Sequence, residues 1–312
     1  MKRLKRVAVV ILNWNRKDML LDCIAHVKLL NYPVDRIVVV DNASADGSSA
    51  AVRNIHPDVL LVQNERNYGA QEGKNIGLRK ALEFQVECIF MVDNDIVVDK
   101  DSLSNLMQVA ESDPFVGMVG AKMYDHSKPD ILLSAGGIID FTQNVGRGRG
   151  DREKDSGQYD RIDGVDYLWG GALLVKREVL ENVGLFDPGF AGYWFEDTDL
   201  SVRVRKAGYK IVFNPFAKVW HKPHATLEQF SYRKKYLTTR NAIRFMKKHA
   251  TPGQWAKYLF FALGGLPYAF FRDLILHGSG MGAIGKGRGL IEGLFKERPE
   301  RTSIRRAKEQ PG

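Results

Sequence analysis

The sequence predicts an α/β fold, a Rossmann-like, mostly parallel and doubly wound sheet flanked by helices, and three observations carry that reading. Continuous β-branched and aliphatic runs occur at Val7 to Leu12, Ile37 to Val40, Val59 to Gln63 and Cys88 to Val92, as expected of strands buried on both faces. Between them lie segments with helical spacing, such as Leu20, Cys23, Ile24 and Val27 at i, i+3, i+4 and i+7, one apolar face of a helix. The two kinds of segment alternate, the signature of successive β-α-β units.

The elements follow in order. The first strand ends at Asn13, and the helix from Asp18 is stopped by Asn31-Tyr32-Pro33. Further helices are expected near Ser48 to Ile55 and near Asn75 to Phe84, and a strand at Val116 to Met123. The pattern then shortens to a glycine-rich basic loop, Gly146 to Gly150, and a charged stretch, Asp151 to Asp163, read as a mobile loop because no core is available to it. A strand at Leu173 to Val175, a helix at Arg177 to Val183 ended by Gly184, a helix from near Asp197 to Gly208 and a short strand Lys218 to Trp220 complete this part. Composition shifts beyond Ala225, which divides the chain into a domain over 1–225 and a basic, apolar, helical extension with a polar tail over 226–312. No internal repeat is found.

A length of 312 residues allows one large α/β domain or two ordinary ones. The formal charge of +9, from 46 basic and 37 acidic residues, favours an anionic partner: nucleic acid, a lipid surface or a phosphorylated small molecule. Cys23 and Cys88 sit among apolar residues and read as reduced core thiols. The basic start, Met1 to Arg6, precedes an apolar run too short for a signal-peptide core, so the body of the protein is expected in the cytoplasm.

Ligands of open α/β sheets bind beyond the carboxyl ends of the strands, where Asn13, Asp41 and Asp93 fall. Asp93-Asn94-Asp95 puts two carboxylates on alternate residues, suited to one Mg²⁺ or Mn²⁺ bridging a diphosphate; the plainer reading is a polar turn. Asp41 at a strand end could accept from a base imide N–H or a ribose hydroxyl, whereas the following Asp46-Gly47-Ser48 is explained by helix capping. The segment Arg66 to Asn75 is not a P-loop: three residues separate Gly69 from Gly73, and Asn75 stands where Ser or Thr is needed. The turn Asn13-Trp14-Asn15-Arg16 is not the glycine fingerprint of a dinucleotide oxidoreductase either. Glu196-Asp197-Thr198-Asp199 opens a helix, whose positive end favours acids. Preceded by Tyr193-Trp194-Phe195, Asp197 could also be held as a general base. A neutral His221 could complete a metal site, while His224 reads as structural.

Taken together, these residues resemble the family 2 glycosyltransferases of the GT-A fold, and among them the rhamnosyltransferase-like members. The resemblance runs from about Val7 to His221 on an ordered set of motifs: Val9 to Asn15; Val39-Val40-Asp41-Asn42-Ala43-Ser44; Asn67-Tyr68-Gly69 with Gly73, Asn75 and Gly77; Asp93-Asn94-Asp95; Trp169-Gly170-Gly171-Ala172; and Phe195 to Leu200. It implies an inverting transfer from a UDP- or dTDP-sugar, dTDP-rhamnose among them, to a hydroxyl of a glycan or lipid-linked acceptor. Asp41 would hold the base, the Asn67 to Gly77 loop would line the nucleoside, and Asp93 and Asp95 would hold the metal-diphosphate with His221 as a further ligand. Asn13 and Asn94 join this nucleotide-sugar set, and Asp197 would be the base. Asn94 departs from relatives with another acid there, which removes one carboxylate from the metal motif.

Arg233 to Lys248 interleaves seven basic residues with Tyr236 and Phe245, and Tyr258 to Phe271 carries no charge. Fourteen residues make a helix of roughly 21 Å, short of a bilayer core of about 30 Å, and Pro267 is expected to interrupt it. Residues 226–276 are therefore expected to meet a membrane surface as an interfacial or re-entrant segment, at the inner face of the cell membrane. The alternative is an apolar helix packed on the catalytic domain. Nucleic acid is not expected as a partner, since the apolar stretch has no use there. A membrane-recruited, non-catalytic nucleotide-sugar-binding protein of the same fold is the competing function. A sugar nucleotidyltransferase is disfavoured by the lack of a glycine-rich phosphate loop after the first strand.

Overall fold

The computed structural model describes residues 3–141, 145–190, 192, 194–222, 232–277 and 280–296. The first half follows the expected alternation: β1 (Val7–Asn13), α1 (Lys17–Lys28), β2 (Arg36–Asp41), α2 (Ser48–Ile55), β3 (Leu60–Gln63), α3 (Ala70–Leu82) and β4 (Cys88–Asp93). Next come β5 (Ile96–Val98), α4 (Ser102–Ser112), β6 (Val116–Asp125), β7 (Lys128–Ser134), β8 (Gly137–Ile139), β9 (Gly146–Gly148), β10 (Asp163–Gly164) and β11 (Ala172–Lys176). The remainder is α5 (Arg177–Val183), α6 (Glu196–Lys206), β12 (Lys210–His221), α7 (Tyr232–His249), α8 (Pro252–His277) and α9 (Met281–Phe295).

The sheet order is β10-β12-β6-β11-β4-β1-β2-β3, with β5 also on β12 and β7 on β6. Strands β3, β2, β1 and β4 are parallel, because a helix connects each of them to the next along the chain. The rest departs from the expected doubly wound sheet. β11 runs antiparallel between β4 and β6, so the sheet is mixed. No helix joins β6 to β11 among the described residues; that connection is made of short strands and turns.

Alternation along β1 divides the core. Val7, Val9 and Ile11 face α1 and α4, while Ala8 and Val10 face α3, α5 and α6. Both faces are thus covered, which is why these strands read as unbroken apolar runs. Cys23 and Cys88 are buried free thiols.

Four local expectations are corrected. Helix α3 starts at Ala70, not near Asn75, because Gly69 makes the turn at a φ of 83° and Gly73 lets the helix lie against Leu12, whose Cδ1 would stand 2.6 Å from an added Cβ. The short strand at Lys218 is the end of the twelve-residue β12, whose register shifts between Asn214 and Lys218 around Pro215, which has no N–H to donate. The charged stretch 151–163 is tied down: Arg152 N donates to Leu132 O, Asp155 N to Asp130 O, and the buried Lys122 pairs with Asp155 and Asp160, each at 2.6 Å. Finally, α8 passes through Pro267 on its exposed side and runs for 26 residues. Among the described residues no helix is long and apolar enough to cross a membrane.

Helix α7, beyond the expected boundary at residue 225, packs on the sheet body. Phe245, Met246 and Ile243 are buried in a cluster with Phe190 and Val202. Helix α9 then lies on α7 at backbone distance. An added Cβ at Gly285, Gly289 or Gly293 would meet Tyr232 O, Tyr236 O or Ile243 Cβ at 2.4, 2.4 and 2.7 Å. Gly289→Val is therefore expected to force α7 and α9 apart and destabilise the chain by about 1–3 kcal/mol, seen as a lower Tm. An unchanged Tm would mean that the two helices do not rest on this contact.

Candidate active site

Asn13, Asp41 and Asp93 are the last residues of three adjacent parallel strands, with Asn13 in register with Asp41 and Leu12 with Asp93. The sheet itself therefore brings them to one edge. From this edge three polar groupings extend.

The first surrounds Asp41, which is fully buried. Its Oδ1 accepts from Asn13 Nδ2 (3.1 Å) and Ser44 Oγ (2.5 Å), and its Oδ2 from Ser49 Oγ (2.6 Å). Asn13 Oδ1 in turn accepts from Asn94 Nδ2 at 2.6 Å. This order of donors explains Asn94: with the Asn13 amide committed to a carboxylate, its oxygen needs a donor opposite, which an aspartate at 94 would not supply. Next to Asp41, Asn42 donates to Asn67 Oδ1 and Gly69 O and accepts from Asn64 and Tyr68 N, fixing the turn ahead of α3. Asn67 is exposed on that turn. Gly73 and Asn75 lie in α3 instead of a loop. Asn75 binds the backbone of Phe186 through both ends of its amide, at 2.9 and 3.0 Å, so its job is to hold the segment before α6.

The second grouping is the expected metal motif, and the structure divides it. Asp95 meets His221, Nε2 to Oδ1 3.5 Å, because β5 pairs with β12 so that Ile96 stands opposite His221. Asp93, in contrast, pairs with Lys74, Nζ to Oδ1 2.9 Å. Among the described residues no group of three or more His, Cys, Asp or Glu is gathered as a metal site. The expected sharing of one cation by Asp93, Asp95 and His221 is thus not preassembled. The donor set still suits Mg²⁺ or Mn²⁺, which are held by one or two carboxylates together with substrate phosphates; Asp95 and His221 provide an oxygen and a nitrogen side by side.

Lys74 carries no motif signal in the sequence, because the spacing of the Arg66 to Asn75 segment is not that of a P-loop and nothing local marks its partners. It is buried, bonds Gly170 O at 3.2 Å as well as Asp93, and is the cation at the centre of the site. Burial works against its charge, but Asp93, Asp197 and Glu196 hold the ammonium above the usual lysine range.

The third grouping is Glu196 and Asp197 at the start of α6. Gly170 N donates to Asp197 Oδ2 at 2.9 Å, whereas Asp197 Oδ1 is shielded from solvent and has no hydrogen-bond partner. Only glycine fits at 170: an added Cβ would stand 2.2 Å from Asp197 Oδ1. Burial raises the Asp197 carboxyl above its ordinary range, opposed by Lys74 and by the Gly170 N–H. Burial, with Asp197 beside it, pushes Glu196 up to about 7. Trp194 and Phe195 before them both adopt left-handed backbone, φ 61° and 75°, a costly conformation for such side chains. Helix α7 supports it: Asn241 Nδ2 donates to Trp194 O (3.2 Å) and Phe190 O (2.9 Å), and the Phe195 ring lies 5.4 Å from that of Phe245. Tyr193 and His224 lie outside the described residues.

Glu196 holds its proton more tightly in the folded chain than in the unfolded one, where the usual value is 4.5. Its contribution is therefore full at low pH and is lost as pH rises from about 4.5 to about 7. Glu196→Gln is expected to melt above the parent chain at pH 8, by the equivalent of roughly 1–3 kcal/mol, with the gap closing as pH falls through this interval. Parallel pH profiles for the two chains would remove the shift.

The model of glycosyltransferase like family 2 matches residues 5–236. Poly-beta-1,6-N-acetyl-D-glucosamine synthase of Staphylococcus aureus is 24% identical over 219 residues, covering 70% of this chain and 50% of that protein; the chain thus spans about half the length of this relative. Three solved structures share the fold. GalNAc-T7 with UDP, GalNAc and Mn²⁺ has a TM-score of 0.63 and 18% identity, covering 94% of this chain and 55% of that one. The mannosyltransferase PcManGT of Pyrobaculum calidifontis with GDP-Man and Mn²⁺ has a TM-score of 0.58 and 17% identity, over 95% and 89%. Residues 1–349 of S. aureus TarS give 0.59 and 13%, over 92% and 80%. With a family match over most of its length and a mixed α/β, GT-A-like sheet, the chain belongs to glycosyltransferase like family 2.

Proposed function

We propose that this chain is an inverting glycosyltransferase that moves a sugar from a UDP- or dTDP-sugar to a hydroxyl of a glycan or lipid-linked acceptor in cell-envelope polysaccharide synthesis. A rhamnosyl donor fits the resemblance of the motifs. The observation that carries the reading is Asp197 Oδ1, a buried carboxylate oxygen with no partner, beside a cationic, acid-lined strand edge. An acceptor hydroxyl supplies the donor that this oxygen lacks.

In this mechanism the acceptor hydroxyl gives its proton to Asp197 Oδ1 as its oxygen attacks the anomeric carbon. The bond to the diphosphate breaks on the opposite face and its electron pair stays with the leaving phosphate oxygen. The anomer is inverted and no covalent intermediate forms. Burial raises the Asp197 carboxyl above its ordinary range, which strengthens it as a proton acceptor. Gly170 N occupies Oδ2 and leaves Oδ1 as the oxygen that takes the proton. Lys74 places a fixed positive charge beside Asp93, where a diphosphate approaching the strand ends meets it. A divalent ion held by Asp95 and His221, with Asp93 nearby, would neutralise the leaving diphosphate.

Asn13, Asp41 and Asn67 form the nucleoside end of the proposed site, with Asn94 linking it to the metal end. Asp41 accepts a base N–H in this reading only once Ser44 or Ser49 turns away, since both hydroxyls now occupy it. Gly73 and Asn75 contribute indirectly, by seating α3. The helices beyond residue 225 and the cytoplasmic face of a membrane complete the proposal, with the enzyme peripheral to that membrane.

Asp197→Asn keeps the acceptor for Gly170 N but cannot take a proton. It is expected to lower turnover by about 10²–10⁴-fold with nucleotide-sugar binding retained in calorimetry; near-normal turnover removes Asp197 from the base role. Chelation of divalent ions is expected to abolish transfer, with recovery on adding Mn²⁺ or Mg²⁺. Full activity in the chelated enzyme would refute the roles of Asp93, Asp95 and His221.

A further inference from the structure

The C-terminal helices are layered the wrong way round for water. Along α8 the buried positions are Tyr258, Ala262, Ala269 and Asp273, mostly small, while Phe260 (74% exposed), Leu263, Tyr268, Phe271 and Ile275 (79% exposed) point outward. Helix α9 repeats the arrangement. Gly285, Gly289 and Gly293 face α7, and Met281, Ile284, Ile291 and Phe295 (81% exposed) form the outer stripe, at helical spacing. Small residues between helices and large apolar ones outside are how helices pack when the surrounding medium is lipid. A water-facing helix has the reverse pattern, and monomeric soluble proteins seldom expose apolar surface on this scale.

Charge identifies the medium further. Residues 232–296 hold 12 Lys and Arg against 2 acidic residues, a larger surplus than the +9 of the whole chain. Lys248 and Arg240 are used internally, pairing with Asp199 and Glu292. Lys257 is exposed ahead of the uncharged run; Arg272 follows it and also pairs with the buried Asp273, and Arg288, exposed in the outer stripe of α9, also donates to the Tyr232 hydroxyl. A second copy of the chain docked face to face would bring the same cations together, whereas anionic headgroups complement them.

We propose that the outer faces of α8 and α9 dock in the plane of an anionic bilayer, their apolar side chains entering the acyl boundary and Lys257, Arg272 and Arg288 meeting lipid phosphates. No described helix is apolar and long enough to cross, so the contact is monotopic. This inference deepens the membrane part of the proposed function and does not depend on the transfer chemistry. Its consequence is positional: α7 lies under the layer and also holds the Trp194 carbonyl ahead of Asp197, so docking at α8 and α9 is linked to the catalytic edge by one rigid helix.

Vesicle co-sedimentation of the full chain tests this. With phosphatidylcholine vesicles containing about one third phosphatidylglycerol, the chain is expected to bind, to weaken as salt rises, and to bind far less to phosphatidylcholine alone. Combining Phe260→Gln, Phe271→Gln and Ile275→Gln changes only exposed side chains and is expected to weaken vesicle binding at least about tenfold, with the Tm unchanged. Lys257→Gln is expected to weaken it roughly fivefold. Absence of binding to anionic vesicles, or equal binding by the triple variant, overturns the proposal. So does a stable dimer that the triple variant converts to monomer, since the face then belongs to a second copy. Thermal stabilisation by a UDP- or dTDP-sugar, measured in parallel, separates the two readings: a chain that binds the nucleotide-sugar but ignores vesicles loses only the docking surface.

Discussion

A buried ammonium organises the catalytic edge. Lys74 reaches from α3 to Asp93 at the end of β4 and to the carbonyl of Gly170, while the field of Asp197 and Glu196 sustains its charge. A cation out of water is tolerated only when carboxylates and carbonyls replace its hydration. The converse holds as well: Asp93, Asp197 and Glu196 could not crowd together without it. Lys74 therefore links four parts of the chain that are distant in sequence, α3, β4, the Gly170 turn and α6. The glycines follow from the same constraint, for Gly170 gives both its N–H to Asp197 and its C=O to Lys74 in a space that no side chain could share.

A second ionic cluster fixes α6 from behind. Asp199 is fully buried, and although burial opposes its charge, His249, Arg203 and Lys248 hold its carboxylate well below the usual range. Lys248 and His249 come from α7 and Arg203 from α6 itself. Two acids two residues apart thus have opposite fates. Asp197 keeps one buried oxygen without a hydrogen-bond partner and its pKa raised; Asp199 faces α7 with cations on both oxygens. The helix start that could be read as one acidic cap is a division of labour between chemistry and anchoring.

These two clusters explain why the helices beyond the sheet are inseparable from the site. The left-handed Trp194 and Phe195 persist because Asn241 and Phe245 of α7 hold them. Helix α7 is in turn covered by α9 through backbone contact at glycines. A continuous stack runs from the outermost apolar face through α9 and α7 to the base loop. The family match ends at residue 236, inside α7, so this helix begins within the matched body and carries the stack beyond it.

What the sequence determined by itself was everything governed by local periodicity: the parallel half of the sheet, α1, α2 and α5, and the delivery of Asn13, Asp41 and Asp93 to one edge, because a strand buried on both faces announces itself and its end is marked by the first polar residue. The family was legible too, in the order of short motifs. Contacts between distant segments were not. That β11 would run antiparallel, that Asn75 would bind the backbone of Phe186, that Asp95 would go to His221 while Asp93 went to Lys74, and that Asp197 and Asp199 would find different partners were all decided by tertiary packing. The physical reason is that each depends on which charge or hydrogen-bond donor lies across space, and in most of these cases the partner is tens of residues or more away along the chain.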